Sequence, residues 1–157
     1  MAQGVVQQKE GKFDRAEALF QEALDYDPQH PDSLHLIGLL SYRQGQWPKA
    51  LEYLTAAIQN QPTNPSFHFN LGIVLQASGQ TDEATSAYCQ AIKLNPAFAA
   101  AHNNLGNVYK GQAQFDRAIA SYGEALRVNP SYSDAHNNLG TVLREEGRFQ
   151  EALAAFA

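Results

Sequence analysis

Five glycines recur at one fixed interval along this chain: Gly4, Gly38, Gly72, Gly106 and Gly140, each 34 residues after the last (38 − 4 = 34). Pro28, Pro62, Pro96 and Pro130 keep the same interval. So do Ala16, Ala50, Ala84, Ala118 and Ala152, and a second series, Ala23, Ala57, Ala91 and Ala125. A whole-chain period of this kind marks an array of equivalent units, each burying its apolar face against the next. Such arrays work through a long surface rather than a small reactive pocket.

The best-preserved unit runs from Ala99 to Tyr132. Its first half places His102, Leu105, Gly106, Val108 and Tyr109 at helical spacing. Its second half places Ala118, Ile119, Tyr122, Ala125 and Leu126 in one stripe. Asp14, Asp82 and Asp116 share a place in the first turn of the second helix, where the helix dipole favours an acid. Pro48 takes that place once, and proline also suits a helix start. Each second helix is predicted to stop at an X-Pro step, because the residue before proline avoids the α region. The unit is therefore helix, tight turn, helix, tight turn, and the fold is all-α, built from antiparallel helix pairs. Glycine leaves a notch on the first helix, alanine leaves flat spots on the second, and Tyr109, Tyr122 and Phe115 supply the bulk between them. Overfilling a notch costs about 1–3 kcal/mol. Gly72→Leu is thus expected to lower the melting temperature and Gln76→Leu to leave it unchanged. Gly123, inside a second helix, costs about 1 kcal/mol relative to alanine.

The run Leu105-Gly106, Tyr109, Ala118, Tyr122, Ala125, Pro130 resembles the signature of the tetratricopeptide repeat, and the likeness extends over the whole chain. It implies a right-handed superhelical α-solenoid whose first helices line the inner, concave wall. The chain reads as one array over 1–157, with units at 1–30 (partial), 31–64, 65–98, 99–132 and 133–157 (truncated). Two departures stand out. His68, His102 and His136 replace the bulky residue that usually opens the first helix, and Gln3 stands where leucine is expected, so the first helix of the first unit is expected to be loose. Phe156 belongs to an apolar stripe with no following unit to cover it, and no polar capping helix is evident at either end. The expectation is a piece of a longer protein, or copies that stack through their terminal units.

Composition narrows the partners. With a formal net charge of −5, the chain has no general affinity for phosphate backbones, so neither nucleic acid nor a polybasic membrane contact is expected. No apolar run approaches the ~18 residues of a membrane span. The first residues lack the basic-then-apolar order of a secretory leader, and the single cysteine, Cys89, permits no internal disulfide. A cytoplasmic setting is the expectation. There is no phosphate-binding glycine loop, HExxH or G-x-S-x-G, and the chain is expected to be non-catalytic, without cofactor or metal.

The candidate site is a set of amides. Asn70, Asn104 and Asn138 share one position before the Leu-Gly pair, and Asn103, Asn107 and Asn137 lie on the same polar face. A carboxamide has both a donor and an acceptor, so it grips the backbone of an extended peptide without reading its side chains. Replacing Asn70, Asn104 and Asn138 together by alanine is expected to weaken ligand capture and spare folding. The row resembles that in the superhelical arms of O-linked N-acetylglucosamine transferases and SPINDLY-type proteins, which hold target polypeptides; Leu36 breaks it in the second unit. This leaves the substrate-targeting arm of a larger glycosyltransferase as one alternative and a self-associating scaffold as another. The lysine and arginine clamp of chaperone adaptors has no counterpart, since the inner positions hold His35, Phe69, Asn103 and Asn137, or Asp32, Ser66, Ala100 and Asp134. Lys9, Arg43, Lys110 and Arg144 sit near the ends of first helices, where they complement the dipole. His68, His102 and His136 are expected to be partly buried packing residues, too far apart for one zinc ion, and Cys89 an outward-facing thiol. Most acids lie on second helices, leaving a nearly neutral inner wall suited to an extended, weakly charged polypeptide.

Overall fold

The computed structural model describes Arg15 and residues 17–156. Gln3, Gly4, Lys9, Asp14 and Ala16, with the loose helix expected there, lie outside them. A helical segment over 17–26 (α1) leads into α2 (Pro31–Arg43), α3 (Trp47–Asn60), α4 (Pro65–Ala77), α5 (Thr81–Leu94), α6 (Ala99–Gly111), α7 (Phe115–Val128), α8 (Ser133–Glu145) and α9 (Phe149–Phe156). The described residues form no strand. The even-numbered helices are the first members of their pairs and the odd-numbered ones the second. Together they form an all-α solenoid.

Helix ends follow from local chemistry. Pro31 and Pro65 open α2 and α4, where the missing N–H is no loss. The Asn64 side chain caps α4 by accepting from Ser66 N at 3.0 Å. Helices α3, α5 and α7 stop before Gln61, Asn95 and Asn129, which lie outside the α region ahead of their prolines. Every first helix ends in the same turn. Gln46 N donates to Ser41 O, Gln80 N to Leu75 O, Gln114 N to Tyr109 O and Arg148 N to Leu143 O, at 2.8–2.9 Å. This six-to-one closure needs a left-handed residue just before the donor. Gly45, Gly79 and Gly147 supply it with φ of 75°, 81° and 73°, and Ala113 with φ 56°.

From α2 onward the core repeats as strictly as the turns, whereas Ala23 on α1 is exposed. Ala50, Ala84, Ala118, Ala57, Ala91 and Ala125 are fully buried. Each recurrent glycine faces a large side chain of its own helix pair: Gly38 faces Leu54, Gly72 Tyr88, Gly106 Tyr122 and Gly140 Phe156. A Cβ would come within 2.9, 2.7, 2.5 and 2.5 Å of these side chains. The notch predicted on the first helix is there, and its filler is the bulky residue of the paired second helix. Successive layers then meet through Leu75, Tyr88, Leu105, Val108, Tyr109, Tyr122 and Val142, all in one buried cluster.

Among the described residues, α2 touches α4 and α6 touches α8, whereas no two of the second helices α3, α5, α7 and α9 make comparable contact. An array whose first helices meet while its second helices stand apart bends toward the first helices, which therefore form the inner wall. No helix among the described residues is long and apolar enough to cross a membrane.

Candidate functional site

The amides of the inner wall are joined to one another and to the tyrosines behind them. Asn70 Nδ2 donates to His35 Nε2 at 2.8 Å, and Asn138 Nδ2 donates to Asn103 Oδ1 at 3.0 Å. Both bonds run from one first helix to the preceding one, across the same sequence separation. Phe69 occupies the corresponding place below Asn104, so this bond has no counterpart there. Asn103 Nδ2 points instead at Asn104 Oδ1, 3.4 Å away. The tyrosine hydroxyls reach the wall from the second helices. Tyr88 donates to Gln76 Oε1 at 2.9 Å and Tyr122 to Asn107 Oδ1 at 2.8 Å. Burial pushes both phenols up to about 12, with Asn104 opposing the shift at Tyr88 and Glu145 adding to it at Tyr122.

The six asparagines singled out from the sequence are thus not alike. Asn103 is buried, 4 % exposed, with both ends of its amide engaged inside the wall. Asn70, Asn104, Asn107 and Asn138 are half-buried, and Asn137 is exposed. Among the described residues, Asn70 and Asn138 have no partner at Oδ1 and Asn107 has none at Nδ2. The Asn137 side chain bonds to none of the described residues, and it rims a hollow of 240 Å³ with Ser133, His136, Ala155 and Phe156. Replacing Asn70, Asn104 and Asn138 together is therefore expected to cost stability as well as ligand capture, because two of the three bond to the neighbouring first helix. Each lost bond costs about 0.5–1.5 kcal/mol. Gln76 is likewise no neutral control, since Gln76→Leu removes the partner of a buried tyrosine hydroxyl.

His68, His102 and His136 are half-buried, and each Nε2 donates to the carbonyl of the recurrent proline six residues earlier: Pro62 at 2.8 Å, Pro96 at 3.1 Å and Pro130 at 2.8 Å. They lash α4, α6 and α8 to the turns before them, while α2 has Leu34 at that position. The shared six-residue offset of two periodic series was a legible signal of this pairing. His35 behaves differently. It stacks on Phe67 with centroids 4.5 Å apart, and burial holds its imidazole below the usual range, with Asp32 opposing. Among the described residues no three His, Cys, Asp or Glu side chains are grouped to hold a metal. Cys89 is exposed on α5.

Cations mark the wall's edge. Lys110 Nζ lies 3.9 Å from Glu145 Oε1, bridging α6 and α8, while Arg117 stacks at 3.9 Å over the Tyr109 ring and donates to its hydroxyl at 2.6 Å. At the other end of the array, Lys49 pairs with Glu17 at 2.6 Å, joining α3 to α1.

A tetratricopeptide repeat model matches residues 1–65 and 104–157, and two related repeat models match 76–113 and 53–85. The sequence matches none of the curated proteins. Among solved structures, MamA is 26 % identical, with a TM-score of 0.86 over 96 % of this chain and 88 % of that one. BtubC (BKLC) from P. vanneervenii is 27 % identical, with a TM-score of 0.83 over 95 % of this chain and 72 % of that one. YrrB, a TPR protein with an unusual peptide-binding site, is 20 % identical, with a TM-score of 0.75 over 96 % and 77 %; at that identity the likeness is one of fold.

Proposed function

Because the chain belongs to the tetratricopeptide repeat family, we propose that it is a protein-interaction module holding an extended polypeptide segment along the wall of its first helices. One observation carries this reading. On three wall amides one end is fixed by a neighbour, Asn70 and Asn138 through Nδ2 and Asn107 through Oδ1, and among the described residues the other end has no partner, which leaves acceptors at Asn70 and Asn138 and a donor at Asn107. A peptide backbone offers the matching N–H and C=O groups at every residue. The peptide-binding site of YrrB lends support at the level of fold. From the likeness to glycosyltransferase arms, which rests on Asn70, Asn104 and Asn138, we carry over only the manner of holding a polypeptide.

The test uses peptides selected on this chain from a random library. Asn104→Ala combined with Asn137→Ala removes two wall amides, neither of which bonds to a neighbouring first helix. Affinity for a selected peptide is expected to fall about tenfold, two hydrogen bonds' worth, in a variant that circular dichroism shows to be folded, with a small drop in melting temperature because Asn104 Oδ1 accepts from the buried Asn103. Equal affinity in a folded double variant refutes the reading.

A second reading, association of copies through α9, is favoured by the exposure of Phe149 (63 %), Leu153 (66 %) and Phe156 (47 %). The corresponding α7 residues, Phe115, Ile119 and Tyr122, are covered by neighbouring helices. Sedimentation decides: a monomer at high concentration removes this reading.

A further inference from the structure

The inner wall is chemically divided along its length. Three sets of positions, each stepping by the recurrent interval, line it: Leu36, Asn70, Asn104, Asn138; His35, Phe69, Asn103, Asn137; and Leu39, Ile73, Asn107, Thr141. On α6 and α8 every one of these carries an amide or a hydroxyl. On α2 and α4 only Asn70 does. Leu36 is 40 % exposed, and it is the one exposed large apolar side chain that the described first helices present. Leu39, Phe69 and Ile73 are half-buried beside it. Phe69 packs 4.7 Å from Phe98 and 5.9 Å from Tyr88 between ring centroids. His35 has its Nε2 closed by Asn70 and its face on Phe67, and so adds to the apolar end.

Charge points the same way. Helix α4 carries no charged residue and α6 carries only Lys110, which lies against Glu145. A charged ligand group would find no partner over the middle of the wall, and desolvating it there would be unfavourable.

We propose that the groove takes a polypeptide segment of split chemistry. One or two aliphatic or aromatic side chains sit on Leu36, Leu39 and Ile73, and a polar, weakly charged stretch follows, with its backbone along Asn104, Asn107, Asn137 and Asn138. The proposal rests on the groove reading above and specifies its ligand. The two halves do different work. Burying one aliphatic side chain outweighs one neutral hydrogen bond, so the apolar end sets affinity and the amides set register and direction. Four first helices about 8–10 Å apart span roughly 25–30 Å, the reach of about eight extended residues.

The probe is a library of random peptides about twelve residues long, longer than the span of the wall, selected on the full chain and on its Leu36→Asn variant. Leu36→Asn places on an exposed site the residue that the other three helices hold there, and Leu36→Ser serves as a second variant; circular dichroism establishes that each folds. Peptides selected on the parent chain are expected to carry Leu, Ile, Met, Phe or Trp toward one end only. The Leu36 variants are expected to lose that bias and to bind a parent-selected peptide at least about tenfold more weakly. Selected peptides without an apolar end, or with equal affinity for folded Leu36 variants, overturn the split ligand. The groove reading then still stands if Asn104→Ala with Asn137→Ala weakens those peptides. No enrichment over a heat-unfolded sample of the chain overturns both.

Discussion

At Gly72 the space left by one missing carbon is filled by a tyrosine. A Cβ there would lie 2.7 Å from Tyr88 Cε1, and the ring has nowhere to go: it is fully buried and its hydroxyl is tied to Gln76. Gly72→Leu is expected to destabilise by about 3 kcal/mol, the upper end for overpacking, and to lower the melting temperature by roughly 6–12 °C. Gly123 is the opposite case. It lies inside α7, and an added Cβ meets nothing within 4 Å. Gly123→Ala is expected to gain about 1 kcal/mol, or roughly 2–4 °C. Paired thermal melts check both, and a Gly72→Leu chain melting with the parent would remove the notch from the account. His35 adds a pH dependence. Its folded pKa lies below the usual 6.5 because the ring is half-buried, and its Nε2 accepts from Asn70. The unfolded chain therefore takes up the proton first. The stability that neutral His35 contributes is fully present above about pH 6.5 and is lost as pH falls from there through the lower folded value. His35→Gln keeps an acceptor without the titration. Its melting temperature is expected to drop less between pH 7.5 and pH 5 than that of the parent, and equal drops would mean that other groups carry the acid sensitivity.

Each helix end is set by a handful of residues, and this is why the elements were so legible from sequence. Pro62, Pro96 and Pro130 end the second helices, and the recurrent glycines with their bulky partners place the first helices over them. The turn after α6 was not legible in this way. Its sisters carry Gly45, Gly79 and Gly147 in the left-handed region, whereas the third copy has Ala113 there, with φ 56°. The same backbone forms because the Gln114 N to Tyr109 O closure at 2.8 Å and the packing of α6 on α7 override the local preference. A left-handed alanine costs roughly 1–2 kcal/mol, part of which a glycine returns through the greater freedom of the unfolded chain. Ala113→Gly is expected to raise stability by about 0.5–1 kcal/mol, seen as a rise in denaturant midpoint with the m-value unchanged; a fall would show that the turn prefers its Cβ. The candidate site was legible only as a set of positions. That Asn70, Asn104 and Asn138 share a wall follows from the period. That Asn103 is buried between Asn138 and Asn104, while Asn137 stands free, depends on how one first helix is rotated against the next, which no spacing within a single unit records.

From α2 to α9, contact runs between neighbouring helices and little further: α2 packs on α3, α3 on α4, and so on to α8 on α9, with α2 and α4, and α6 and α8, also meeting at one remove. Stability in such an array is a chain of local terms and nearest-neighbour couplings rather than one shared core. Tyr122 sits at such a coupling. It fills the notch of Gly106 within its own pair, lies in the cluster that includes Val142 of the next helix, and is tied to Asn107 of the wall. Tyr122→Ala removes a fully buried aromatic side chain, at a cost of about 3–5 kcal/mol, a large part of the ~5–15 kcal/mol available to a domain. In a globule with a single core that loss would be felt everywhere. Here it is expected to loosen α6–α9 while leaving α2 and α3, three helices or more away, nearly as protected as before. Hydrogen exchange followed by mass spectrometry reads this directly, as faster exchange over residues 99–156 with little change over 31–60. Uniform loss of protection from α2 to α9 would show instead that the array unfolds as one cooperative unit. The wall would then gain or lose its ligand-holding shape all at once, whereas local coupling lets the amide end around α8 open while the apolar end around α2 stays formed.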